Sequence, residues 1–325
     1  MKEGPLSERE PPPGGGGEPV IFTVFTPTHD RAHTLSRVFS SLKAQTFRSF
    51  EWVIVDDGST DQTETLVNSW IGAVDFPISY HRQPQGGKHR ATNRGVAVAK
   101  GDLFLTLDSD DACVPTALER LYHHWSQIPA DDRAVFSAVT ALCQDQHGNV
   151  VGGRYPKDVL DSDSIELRYR YRVSGEKWGF QRIEVMRAYP FPDDTGTSYM
   201  PEGLIWNQIA RTYKTRYVNE ALRIYYVDGP SMVHQVDPSR NAEGGRFQHL
   251  TILNTELDWF LHAPLEFLRS AIHYVRFSCH CGIGLPRQVG ELRGMGAKML
   301  WLLAGPVGLV VFGKDRLRVA TKGFH

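Results

Sequence analysis

The feature that most constrains this chain is a unit repeated through its first 130 or so residues: a short apolar run, a polar cluster, then apolar residues at helical spacing. Residues 20–26 (VIFTVFT) are β-branched and aromatic, and Pro27 is expected to close them as a strand buried on both faces. Leu35, Val38, Phe39 and Leu42 fall at i, i+3, i+4 and i+7, one apolar stripe of a helix running to about Gln45. A second strand (WVIVD, residues 52–56) stops at DDGSTD, where Asp61 and Glu64 have capping-box spacing for a helix carrying Leu66, Val67, Trp70 and Ile71. Strand 78–82, a glycine loop, helix 89–99, strand 103–107 and a helix after Pro115 continue the pattern. Parallel strands need such crossovers, so the alternation predicts an α/β fold with a mostly parallel sheet flanked by helices.

Ligands of such sheets sit at the carboxyl ends of the strands. The polar clusters fall there: residues 27–31, 56–61 and 108–111. Three acidic clusters converging on one crevice repel one another unless a cation joins them. After residue 134 the pattern is less regular, with a strand at 135–143, a turn at DQHGN and an expected long polar loop at 152–175. Residues 178–183, PEGLIWNQIARTYK and a strand at 222–227 complete this part, and nothing after about Pro230 continues the sheet.

The central chemical feature is LFLTLDSDD, an apolar strand ending in Asp108, Ser109, Asp110 and Asp111. Carboxylates at a strand end suit a hard divalent cation, Mg²⁺ or Mn²⁺, bound together with a diphosphate, although DxD alone also fits a turn in which Asp111 caps a helix. Lys88, His89 and Arg90 follow Gly86 and Gly87 at an expected helix start, where backbone N–H groups and a flexible ammonium favour an anion. Of these, Lys88 is preferred as the phosphate partner. The Cys279-His280-Cys281 trio lacks the second ligand pair of a zinc site and is read as structural.

PTHDR, VDDGSTD, GGKHRATNRG and LDSDD occur in this order at successive strand ends, and in this the chain resembles the family 2 glycosyltransferases, inverting enzymes of GT-A fold that use nucleotide-diphosphate sugars. The resemblance runs from about residue 20 to 227; GEKWGF, PEGLIWNQIARTYK and AIHYVRF look like bacterial members that build surface polysaccharides. It implies that Pro27, Thr28 and Asp30 meet the nucleotide, that Asp57 meets its base or ribose, and that Asp108 and Asp110 form the DxD, with Asp110 the direct metal ligand. It also implies that Glu202, in MPEGLIW, is the base that deprotonates the acceptor, with Asp193 and Asp194 as turn-forming competitors. Trp178 and Tyr199 are read as core aromatics rather than sugar platforms.

Three regions are therefore expected: a disordered tail (1–18, rich in Pro and Gly), a GT-A domain (19–230) and a helical, basic extension (231–325). Residues 264–325 hold nine Lys plus Arg against three Asp plus Glu, in a chain with 36 against 37. That near-neutral total argues against a nucleic-acid partner. The apolar run MLWLLAGPVGLVVFG (299–313), interrupted by Pro306, is too short for the usual span and has cationic edges. It reads either as a core hairpin or as an element resting on an anionic bilayer, the latter suiting a lipid-linked acceptor. With no secretory signal and four scattered cysteines, the expected place is the cytoplasm, at the inner face of the membrane. The expected partners are a nucleotide-sugar donor and a glycan or lipid-linked acceptor. Two rivals are a sugar nucleotidyltransferase, disfavoured because PTHDRAH has no glycine loop, and a non-catalytic nucleotide-binding component of a polysaccharide assembly.

Overall fold

The computed structural model describes residues 19–193, 196–197, 199–226 and 241–322, with side chains up to Leu317. The expected tail 1–18, Asp194, Val227 and the expected domain boundary at 230/231 lie outside the described residues. In chain order the elements are β1 (Phe22–Thr28), α1 (Leu35–Lys43), β2 (Phe50–Asp56), α2 (Thr63–Asn68), β3 (Ile78–Arg82), α3 (Lys88–Val98), β4 (Leu103–Thr106), β5 (Ala112–Cys113) and α4 (Ala117–Ser126). They continue with β6 (Phe136–Asp145), β7 (Val150–Val151), β8 (Val159–Ser162), α5 (Ser164–Tyr169), β9 (Lys177–Arg182), α6 (Ile183–Ala188), α7 (Gly203–Ala210) and β10 (Lys214–Tyr225). Four helices follow: α8 (Ala242–Thr255), α9 (Pro264–His280), α10 (Leu285–Glu291) and α11 (Met295–Lys322).

One sheet holds all the strands of the described residues, its main path running β3-β2-β1-β4-β9-β6-β10-β5. The repeated units of the sequence make its parallel half, β3-β2-β1-β4, and β6 pairs in parallel with β10. Between the two runs β9, antiparallel to both β4 and β6. Pro27 does not end β1: the strand continues to Thr28, paired on one side with β2, while pairing with β4 stops at Phe25. A proline is tolerated there because the side facing away from β2 no longer needs its N–H.

The core on one face of the sheet is built from the stripe of α1 and the aromatic residues it meets. Phe39 stacks on Trp70 at 4.4 Å and on Trp52 at 6.3 Å, and the Trp52 indole N–H donates to Thr26 Oγ1 at 2.9 Å. The capping box expected ahead of α2 is absent. Asp61 instead accepts from Thr63 N and Oγ1 and from Ala32 N, while Glu64 pairs with Arg82, because both acids have partners on neighbouring elements.

The expected loop at 152–175 is likewise corrected, since it contains β8 and α5. Asp163 caps α5 by accepting from Ile165 N and Glu166 N at 2.9 and 2.8 Å, and Ile165, Leu167 and Tyr169 are buried. The C-terminal helices pack on this part of the molecule: Ile252, Leu253, Phe267, Ala271 and Tyr274 join Ile165 and Tyr169 in one apolar cluster. Glu256, fully buried, accepts from Tyr169 Oη on α5 and from Asn207 Nδ2 on α7.

The hairpin reading of residues 299–313 is overturned. The run lies within one continuous helix, α11, of 28 residues with Pro306 inside it. Gly308 lets α11 approach α9, where a Cβ would stand 2.7 Å from the Ile272 carbonyl, and Asp315 binds Arg276 at 2.5 and 2.9 Å and His280 at 3.1 Å. The stretch Met295–Leu317 is long and apolar enough to cross a membrane by length and composition.

Glu220 ties α4 to the irregular stretch of β10, accepting from Arg120 Nε and Nη2 at 2.9 and 2.8 Å and lying 2.6 Å from His124 Nε2. The Arg120 bonds, opposed by partial burial and aided by His124, lower its carboxyl to about 2. A depressed carboxyl stabilises the fold above its unfolded value and loses that contribution as pH falls through the folded one. Glu220→Gln is therefore expected to cost about 1 to 2 kcal/mol at pH 7, a figure discounted for the solvent that reaches the group. In urea titrations the difference from wild type should shrink as pH falls from about 4.5 towards 2.

Candidate active site

The carboxyl ends of β1, β2 and β4 and the first residues of α3 and α7 converge on one crevice. Asp108 and Asp110 follow β4 as expected, and Lys88 is the first residue of α3. Its ammonium lies 2.6 Å from Asp108 Oδ1 and 2.8 Å from Glu202 Oε1, Glu202 standing immediately before α7. Burial alone would depress the Lys88 ammonium, but the Asp108 and Glu202 carboxylates outweigh it and hold it above its ordinary range. Glu202 is half-exposed.

Asp57, the residue after β2, sets this geometry. Its Oδ1 accepts from Gly86 N and Gln83 Nε2 at 2.8 Å, and its Oδ2 from Gly87 N at 2.7 Å. Gly87 has φ +97°, which favours glycine, and it is the residue that turns the loop into α3 and aims Lys88 at the strand ends. Lys88, His89 and Arg90 then diverge: His89 is buried, and Arg90 pairs with Asp193 at 2.9 Å. Asp193 is thus a partner of α3, and Asp194 is outside the described residues.

At the first strand end, Asp30 (φ +51°) accepts from Thr60 N and Asp61 N at 2.7 and 3.2 Å, and these backbone bonds lower its carboxyl. The hydroxyl of Thr28 is buried and has no hydrogen-bond partner among the described residues. Pro27 is buried beside it in the strand.

The sequence reading missed Arg223 on β10. Its guanidinium, 7% exposed, donates to Asp108 Oδ2 at 2.8 Å and through Nε to Asp111 Oδ2 at 2.8 Å. The signal was a lone arginine inside the apolar run LRIYYV. The cation that the converging acids require is therefore partly built in, as Arg223 and Lys88, with Arg31 at 3.8 Å from Asp110 and Arg37 donating to the Asp110 carbonyl at 3.2 Å. Burial opposes ionisation of Asp108, but Lys88 and Arg223 hold its carboxyl far below the usual range. Asp111 is pushed by burial to about 6 despite Arg223.

Lys88, Asp108, Glu202 and Arg223 open onto a cavity of about 230 Å³ that runs beneath α7, with Gln181 and Trp206 in its wall. Trp178 also lines it while donating from its indole to the Thr106 carbonyl at 2.6 Å, and it is buried as expected of a core aromatic; Tyr199 is exposed instead. Asp110 is 45% exposed and, with Asp108, offers only carboxylate oxygen, a donor set suited to Mg²⁺ or Mn²⁺ shared with a diphosphate. In the Cys279-His280-Cys281 trio, His280 Nε2 stands 3.1 Å from Asp315 Oδ2, and among the described residues no three His, Cys, Asp or Glu are placed to hold an ion by themselves, there or at the strand ends.

The model of the glycosyl transferase family 2 matches residues 23–198, more than half of the chain. The chain belongs to that family. Among curated relatives, a glycosyltransferase of Streptococcus pneumoniae, GlyG, is 29% identical over 111 residues, which are 34% of this chain and 37% of its own. The chain spans about half, or less, of the length of the curated relatives it matches. Residues 1–349 of Staphylococcus aureus TarS, solved with UDP-GlcNAc, superpose with a TM-score of 0.58 at 20% identity, covering 87% of this chain and 79% of that one. The mannosyltransferase PcManGT of Pyrobaculum calidifontis, solved with GDP-Man and Mn²⁺, gives 0.52 at 17% identity, covering 93% and 84%. These likenesses establish the GT-A fold.

Removing Arg223 leaves two carboxylates facing each other in a nearly closed site. Arg223→Met is expected to lower stability by about 3 kcal/mol, as breaking one side of a buried ion pair does. Its urea midpoint, measured against wild type at pH 7, checks this.

Proposed function

We propose that the protein transfers a glycosyl group, with inversion, from a nucleoside-diphosphate sugar to a hydroxyl of a glycan or lipid-linked acceptor in cell-surface polysaccharide synthesis. The observation that carries this reading is the Lys88 bridge, which sets the strand-end acid Asp108 and the helix acid Glu202 on either side of one ammonium. In the proposed reaction Glu202 takes the acceptor hydroxyl proton as the acceptor oxygen attacks the anomeric carbon from the side opposite the diphosphate. The bond from that carbon to the diphosphate oxygen breaks, and its electron pair leaves with the diphosphate. A divalent cation on Asp110 and Asp108 would stabilise the charge of the leaving group.

Asp57 acts in this reading through the glycine loop, presenting the start of α3 and Lys88 to the diphosphate, while Pro27, Thr28 and Asp30 meet the nucleoside. The Thr28 hydroxyl, buried and without a partner among the described residues, supports a ligand there. The reading is further supported by the UDP-GlcNAc and the GDP-Man with Mn²⁺ named with structures of the same fold.

Thermal unfolding with UDP, GDP, dTDP and CDP, with and without Mn²⁺, tests the donor site. One nucleotide should raise the midpoint in a metal-dependent way, by about 2.7 kcal/mol at a hundred times its Kd, and Asp110→Asn should abolish the shift. Glu202→Gln should keep that shift and lose turnover at least a hundredfold. No shift with any nucleotide would move the reading to a non-catalytic component.

The acceptor reading extends to the membrane surface through residues 264–325. Met299, Leu302, Leu303, Val307, Val310 and Leu317 form an exposed stripe along α11, with Lys298 and Arg316 along one edge and Lys314 within its last turns, while Ala297, Leu300 and Ala304 are buried on the opposite side. An apolar stripe with a cationic edge suits an anionic bilayer surface. The protein should float with phosphatidylglycerol vesicles and poorly with phosphatidylcholine alone. The double substitution Leu302→Glu with Leu303→Glu should abolish flotation without lowering stability, since both side chains are 68% exposed.

A further inference from the structure

The two cations that hold Asp108 differ in one respect. Arg223 is nearly closed off and is shared with Asp111, itself buried and also accepting from Tyr226 N, so it cannot leave without uncovering a buried carboxylate. Lys88 is 42% exposed, at the end of a flexible stem on the first residue of α3, and it divides its ammonium between Asp108 and Glu202. Only Lys88 is exchangeable.

We propose that Lys88 is a positioning residue, the internal counter-ion of the Asp108–Asp110 turn, which holds the Asp108 oxygen a divalent cation would take and yields it when cation and diphosphate arrive together. The inference rests on the reading of that turn as the donor metal site. A cation arriving alone meets Asp110, half-exposed with Arg31 3.8 Å away, and one oxygen already 2.6 Å from an ammonium. To gain Asp108 it must displace Lys88 and then stand beside it, a like-charge contact. A diphosphate changes the balance because its negative charge gives the ammonium a new partner at the start of α3, where backbone N–H groups also favour an anion. Free cation should therefore bind weakly, and cation and diphosphate should strengthen each other's binding by the same factor.

The test is Mn²⁺ binding to the full-length, ligand-free protein, read by electron paramagnetic resonance of the free ion. Lys88→Gln should bind Mn²⁺ about tenfold more tightly than wild type, within the usual range of coupling between sites. Lys88→Arg, which keeps the charge, should stay near wild type, and Lys88→Gln with Asp110→Asn should lose the gain. Lys88→Ala supplies a second uncharged variant should Lys88→Gln not fold. In wild type, Mn²⁺ should tighten binding of whichever of UDP, GDP, dTDP or CDP shifts the unfolding midpoint, and Lys88→Gln should show less of that tightening. Uncharged variants that bind Mn²⁺ no better than wild type, or an arginine variant as tight as the glutamine one, would overturn the inference while leaving the donor site standing. Wild type that shows no Mn²⁺-dependent nucleotide binding would overturn the donor-site reading, and the inference with it.

Discussion

Five charged groups alternate in sign across the strand ends: Asp111, Arg223, Asp108, Lys88 and Glu202. Each acid has a cation on at least one side, and this lets a βαβ fold gather several carboxylates at one point without unfolding. The members come from four places in the chain, the end of β4, the strand β10, the helix α3 and the start of α7, so the row also fixes how those elements sit together. Asp57 contributes from below by saturating its oxygens with the backbone of residues 86 and 87, which decides where α3 begins.

The parallel half of the sheet was readable because apolar period and turn chemistry agree there, from the stripe Leu35, Val38, Leu42 to the acidic strand ends. The candidate site was readable where residues lie in short local motifs: Lys88, Asp108 and Glu202 meet at one cavity, with Asp110 beside them and Asp57 holding the loop before α3. What stayed hidden was the part that depends on distant pairing. Arg223 has no local partner, and its value comes from two acids more than a hundred residues away in sequence. The helix α5 escaped because it is short and its buried Ile165, Leu167 and Tyr169 alternate with charged neighbours, a pattern that reads as polar loop until Asp163 is seen capping it.

α11 shows the limit of composition in another way. Its apolar content gives no direction, but Gly308 and the Asp315 pair with Arg276 fix which face lies on α9, and the opposite stripe follows from that choice. The Asp315 carboxylate, towards the C-terminal end of α11, also holds that part of the helix to α9.

Glu256 has a consequence for how this chain can be divided. Because its carboxylate is the common acceptor of Tyr169 on α5 and Asn207 on α7, the C-terminal helices form part of the floor under the helix that Glu202 precedes. A sheet-bearing part cut free before α8 would expose Ile165 and Tyr169 and leave the Tyr169 hydroxyl and the Asn207 amide without their acceptor. The extension and the sheet are therefore one packing unit: an exchange of the C-terminal helices would have to carry α5 and α7 along with them.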